Sequence, residues 1–327
     1  MQRIILFQPS RFFQIPSHSG KLALFVLNLF LSAQTVSAQQ LDETSQQEVT
    51  VAQRQLIQKL SGQSPISGDE FITSRSTAAG RKQVANFLYS QLEEAGFDAK
   101  KHKYKVSNKL FILDLFFDPY MGTNVYTTIP ATVPSREYVL LGAHFDTEAG
   151  SPGANDNATG IALLMEVARQ LQAMTQREKH FIIVFFDQEE DGLIGSKAFA
   201  ERLKDKNICL HSAHTVDMVG WDADGDRAVE LEYPTEELKV LYQSVAAGLD
   251  IPLYETHVQS TDHTSFRELG FAAIGITEEY VNGDTTPHYH QATDTAETVN
   301  YEYLASTTEL VGQVMKKLAN TSNNNEL

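Results

Sequence analysis

The chain has 327 residues, 42% hydrophobic and 21% charged, with a formal charge of −16 at neutral pH. That composition is globular, long enough for one large domain or two small ones. No basic patch interleaved with aromatics stands out, so a nucleic-acid partner is not expected, and a single cysteine, Cys209, excludes an internal disulfide.

Residues 1–38 read as a cleavable secretory signal. Arg3, Arg11 and Lys21 are basic, Leu22 to Leu31 is a short apolar run, and Val36-Ser37-Ala38 places small residues before a cleavage point. The run is about half of what a bilayer span requires. An uncleaved N-terminal anchor is the alternative, and no stable membrane partner is expected. Export without disulfides points to a bacterial periplasm or a secreted bacterial protein.

The predicted fold domain covers 39–320, with an Asn-rich tail over 321–327 that is expected to be disordered. Helical spacing is expected over 47–60 and again over 78–95, where Val84, Leu88 and Leu92 share a face and Gly96 ends it. Residues 101–106 read as a strand, and 107–136 carry no clear period. Beyond that the pattern is regular. Strands are expected over 138–141, 181–186, 214–219 and 271–276, and helices over 160–171, 196–203, 236–249 and 301–318. Continuous apolar strands alternating with helices indicate an α/β domain whose mixed, mostly parallel sheet is sandwiched between helices.

Six residues then stand out: His144, Asp156, Glu189, Glu190, Asp217 and His290. Nitrogen and oxygen donors without a thiolate suit a catalytic zinc pair better than a structural zinc. Five ligands and one spare glutamate are what a two-metal hydrolase needs. His144, Glu189 and Asp217 each follow an expected strand, and open α/β sheets bind ligands at the carboxyl ends of their strands. Asp146 lies two residues from His144 and can accept that histidine's second ring N–H. Asp156 precedes an apolar helix, a position that also suits an N-cap. Glu189-Glu190 follows the buried run FIIVFFD; one member can ligate while the other takes a proton.

These residues sit in LGAHFD (141–146), GANDNATG (153–160), FFDQEEDGLIGS (185–196), DMVG (217–220), TDH (261–263) and HYHQATDT (288–295). In this order the motifs resemble the M28-type zinc aminopeptidases, co-catalytic two-zinc exopeptidases, over about residues 75 to 318. The resemblance implies that His144 and Asp217 hold one zinc, Glu190 and His290 the other, and Asp156 bridges the two. Glu189 would be the general base, Asp146 would orient His144, and Asp262 and Asp294 would support the site. The implied substrates are peptides with a free N-terminus. One departure is the lack of a tyrosine in 255–260, where some members carry an oxyanion donor; His257 or a donor from another segment would take its place. A one-zinc glutaminyl cyclase on the same fold, a carboxypeptidase using Arg267, and a non-catalytic descendant are the competing expectations.

Overall fold

The apolar runs become the middle of an eight-stranded sheet. The computed structural model describes residues 47–106 and 120–321; the expected signal over 1–38 and the tail beyond Thr321 lie outside the described residues. A helix over 47–60 (α1) is followed by α2 (Ala78–Glu94), β1 (Lys100–Val106), β2 (Tyr120–Ile129), β3 (Glu137–His144), α3 (Gly160–Ala173), β4 (His180–Phe186), α4 (Ile194–Asp205) and β5 (Cys209–Val216). Then come β6 (Val229–Glu232), α5 (Glu236–Leu249), β7 (Leu253–Thr256), α6 (His263–Arg267), β8 (Ala273–Thr277) and α7 (Tyr301–Ala319). From Val49 on, the chain is one unit.

The strand order is β1-β2-β4-β3-β5-β8-β6-β7. The central strands β4, β3, β5 and β8 run parallel, β6 and β7 pair parallel, and the three remaining ladders are antiparallel. Side chains alternate across the sheet and fill two cores. Val139, Leu141, Phe181, Ile183 and Phe185 meet α1, α2, α3 and α7. Leu140, Ile182, Val184 and Phe186 meet Phe199 of α4 and Phe266 of α6. Central strands buried on both faces must be apolar throughout, which is why they were legible as unbroken runs.

The stretch 107–136 holds β2, whose buried polar residues hid it. Asn124 donates to the Gly195 carbonyl (2.8 Å) and accepts from the Asp187 N–H (3.0 Å), so β2 braces the turn that follows β4. The strand expected over 214–219 instead ends at Val216. Met218 adopts φ +49°, which turns the chain at Asp217 rather than extending it.

His214 on β5 is fully buried, between the Tyr242 hydroxyl (3.1 Å) and Ser212 Oγ (2.9 Å). Burial, and then the nearby His211, push its pKa down to about 3. The unfolded chain therefore takes up this proton first, near pH 6.5, so the contribution to stability is lost as pH falls from there toward the folded value. Urea unfolding at a series of pH values should show wild type losing roughly 2 kcal/mol more than His214→Asn between about pH 6.5 and 4. Equal losses would show that His214 is not held neutral.

Candidate metal centre

His144 closes β3 and faces the end of β5. Its Nε2 lies 3.2 Å from Asp217 Oδ1 and 3.2 Å from Asp156 Oδ1. Its Nδ1 lies 3.5 Å from Asp146 Oδ1 and 3.3 Å from the Asp146 carbonyl. The hydrogen bond at His144 Nδ1 goes to the Asp146 backbone carbonyl rather than to the expected carboxylate, which lies alongside and is engaged elsewhere. The two carboxylate oxygens of Asp146 accept the N–H groups of Glu189 (3.0 Å) and Glu190 (3.2 Å), tying the end of β3 to the turn after β4.

Asp156 sits in a wide turn, Ala154–Thr159, that leads into α3. Capping of α3 falls to its neighbour: Asn157 Oδ1 accepts from Gly160 N (3.0 Å). That leaves the Asp156 carboxylate for the site. Its Oδ2 lies 3.2 Å from His290 Nε2, which is 3.1 Å from Glu190 Oε2. The two oxygens of Asp156 thus belong to two different donor groups: His144 and Asp217 on one side, Glu190 and His290 on the other. Asp294 lies behind this turn and accepts from Asn155 N (2.8 Å) and Asp156 N (3.1 Å).

Asp262 is buried at the start of α6, and no hydrogen bond among the described residues joins it to a proposed ligand. It acts at most through its charge, which reaches Glu189. His288 turns away from the site to Thr293 Oγ1 (2.9 Å) and meets Trp221 edge-on. His257 packs against Tyr233. Arg267 stacks over the Tyr233 ring and donates to the Tyr233 carbonyl (2.8 Å). Neither His257 nor Arg267 lines the cavity.

Two participants escaped the sequence reading. Glu148 brings a carboxylate oxygen within 4.8 Å of Glu190 and His290. Arg75, from a polar stretch with no apparent period, is a buried guanidinium that donates to the carbonyls of Pro152 and Gly153. It anchors the backbone just before Asp156. Contacts made across 42 to 78 residues leave no local pattern in the sequence.

The electrostatics are those of a crowded anionic site. Burial pushes the Glu190 carboxyl up to about 8, with Asp156 adding to it. Burial likewise raises Glu189 well above the usual range, and Asp217 also moves up. On Asp156, hydrogen bonds from His144 and His290 overcome the burial penalty and hold the carboxyl low. For His144, burial opposes the charge, but Asp217, Asp146 and Asp156 outweigh it and raise the imidazole. Packed carboxylates around two imidazoles are best satisfied by divalent cations, and the donor set is nitrogen and oxygen only. The residues fit a pair of metal ions sharing Asp156.

Above the cluster lies a cavity of about 280 Å³. Glu148, Asp156, Glu189, Glu190, Asp217 and Glu232 supply six carboxylates to its lining, and among the described residues no lysine or arginine lines it. Met218, Val258, Tyr280 and Tyr289 form apolar walls, and Tyr289 stacks on His290 with ring centroids 3.7 Å apart.

Residues 124–315 match the family model described as Peptidase family M28, and the chain belongs to this family. It is 29% identical over 191 residues to Aminopeptidase YwaD of Bacillus subtilis (strain 168). That alignment covers 56% of this chain and 41% of the relative, so the chain spans under half that protein's length. The fold matches that of BSAP, a zinc aminopeptidase from Bacillus subtilis, with a TM-score of 0.73 at 16% identity, covering 85% of this chain and 96% of the other. It also matches the glutaminyl cyclase of Porphyromonas gingivalis, with a TM-score of 0.66 at 18% identity, covering 82% of this chain and 98% of the other.

Proposed function

We propose that this chain is an exported two-zinc aminopeptidase that removes N-terminal residues from peptides. One observation carries the reading: the two oxygens of Asp156 are divided between two His/carboxylate donor groups at the floor of an acid-lined cavity. His144 and Asp217 would hold one zinc, Glu190 and His290 the other, with Asp156 shared. When bound, such a pair polarises a carbonyl oxygen and lets a water ionise near neutral pH.

The chain's own residues supply the rest. Beyond the carboxylates assigned to the zincs, the lining keeps Glu148, Glu189 and Glu232 to receive a substrate α-ammonium, and among the described residues it offers no lysine or arginine to hold a C-terminal carboxylate, which favours an aminopeptidase over a carboxypeptidase. Glu189 is the proton carrier. Its backbone is held by Asp146, its side chain lines the cavity, and it accepts the proton of the attacking water and passes it to the leaving amine. Tyr289 and Met218 offer the first substrate residue an apolar surface.

Metal analysis of the purified protein should find two zinc ions per chain; one per chain favours the cyclase reading. N-acetylation of a peptide or anilide substrate should lower kcat/KM by roughly 100-fold or more. Equal turnover of the blocked substrate would remove the case for recognition of a free amine. For export, protein recovered from its native host should begin near Gln39, whereas a chain that keeps Leu22 to Leu31 and fractionates with membranes supports an anchor instead. No helix among the described residues is long and apolar enough to cross a membrane.

A further inference from the structure

A second acidic cluster lies outside the catalytic cavity. The turn between β5 and β6 reads Asp222-Ala223-Asp224-Gly225-Asp226, and carboxylate oxygens of its three acids lie within 4.8 Å of one another. Asp224 also belongs to a second group, with Glu279 and Asp284, again within 4.8 Å. Two oxygens bound to one calcium ion at 2.3–2.6 Å are at most about 5 Å apart, so each group of three has spacings that fit an ion, and Asp224 joins the two groups.

The cluster alone would be an acidic surface turn; Glu279 makes it more. Glu279 is only 7% exposed, yet no donor among the described residues hydrogen-bonds to its carboxylate and no lysine, arginine or histidine pairs with it. Three carboxylates this close repel one another unless a counter-charge sits between them. None of the five acids has a cationic side-chain partner among the described residues. Burial, followed by Asp226, Asp224 and Asp284, pushes the Glu279 carboxyl up to about 7.

The frame is built before any ion arrives. Asp284 accepts from Trp221 Nε1 (3.0 Å), Ala223 N (2.7 Å) and Asp224 N (3.0 Å), which fastens one turn to the other. Glu230 on β6 accepts from Val281 N and Asn282 N and holds the turn that presents Glu279 and Asp284.

We propose that Asp222, Asp224, Asp226, Glu279 and Asp284 form a site for a hard divalent cation of the calcium class, separate from the catalytic metals. Oxygen-only donors favour calcium over zinc. Tyr280, next to Glu279, lines the catalytic cavity and meets Tyr289 edge-on at 5.9 Å, so the ion would brace the wall that carries His290.

Trp221, the only tryptophan in the chain, touches the site and serves as an internal antenna. Terbium should be titrated into the zinc-loaded protein with excitation of the indole. Sensitised emission should saturate at one ion per chain, be displaced by calcium at about 1 mM or below, and vanish in Asp224→Asn. In parallel, calcium should raise the melting midpoint of wild type by roughly 3 °C or more and leave Glu279→Gln unmoved. Without calcium, both variants should melt no lower than wild type, because each removes a repelling charge. Emission that is absent, that persists unchanged in Asp224→Asn, or that calcium fails to displace below roughly 10 mM overturns the proposal. An equal calcium shift in wild type and Glu279→Gln does so as well.

Discussion

Glu189→Gln is expected to lower kcat by roughly 10²–10⁴-fold while leaving zinc content near that of wild type. The adjacent glutamates are not equivalent. Glu190 is engaged on both oxygens, with Oε2 3.1 Å from His290 Nε2 and Oε1 accepting from Glu148 N at 3.1 Å. The Glu189 carboxylate makes no hydrogen bond among the described residues and faces the cavity. Burial, with Asp217, Asp262 and Asp146 nearby, raises its proton affinity above that of an ordinary glutamate. Glutamine keeps the shape and cannot take the proton. KM should change little, because the loss falls on a step after binding. Glu190→Gln should lose metal instead. If Glu189→Gln loses zinc and Glu190→Gln keeps it but is inactive, the roles are reversed. Full activity in Glu189→Gln would falsify the two-metal peptidase mechanism.

Asp156→Ala should empty both metal positions, whereas His144→Ala and His290→Ala should each mainly weaken one. The asymmetry follows from Asp156 lying 3.2 Å from each of the two histidines, through different oxygens. Activity should fall by roughly 100-fold or more even with added zinc, since neither ion keeps its full ligand set. The variant should still fold. Asn157, not Asp156, caps α3, and the backbone N–H of Asp156 keeps its bond to Asp294. Metal analysis at equal protein concentration tests this directly. Full occupancy in Asp156→Ala would mean that Asp156 has no ligand role.

The proposed metal residues meet at one edge of the sheet for a topological reason. β3, β4 and β5 are adjacent and parallel, so their carboxyl ends deliver His144, the Glu189-Glu190 turn and Asp217 to the same side. Asp146 then locks two of those ends together. Asp294, four residues beyond His290, holds the Asp156 turn from behind. A small displacement of any of these supports would move a ligand off its position, which is why the buried Arg75 beneath Gly153 matters to the site without touching a proposed metal ligand.

The amino-acid sequence by itself determined the parallel heart of the fold and the set of candidate metal residues. Strands buried on both faces must be continuously apolar, and FIIVFF or YVLL announce that without any neighbour in view. Metal-type residues placed just after such runs are legible because strand ends are where α/β sheets bind ligands. What only the tertiary structure decided depends on partners distant in sequence. β2 takes its place through pairing with β1 and β4, and its buried Asn124 reads as loop until Asp187 and Gly195 are found beside it. The short strands β6 and β7 and the five-residue α6 are too brief to show a period. Asp156 was open to a capping role until the fold placed Asn157 on the helix end and two histidines against the aspartate. Arg75, Glu148 and the meeting of the 222–226 turn with Glu279 are likewise unreadable along the chain, because burial and long-range charge exist only once the chain has closed on itself.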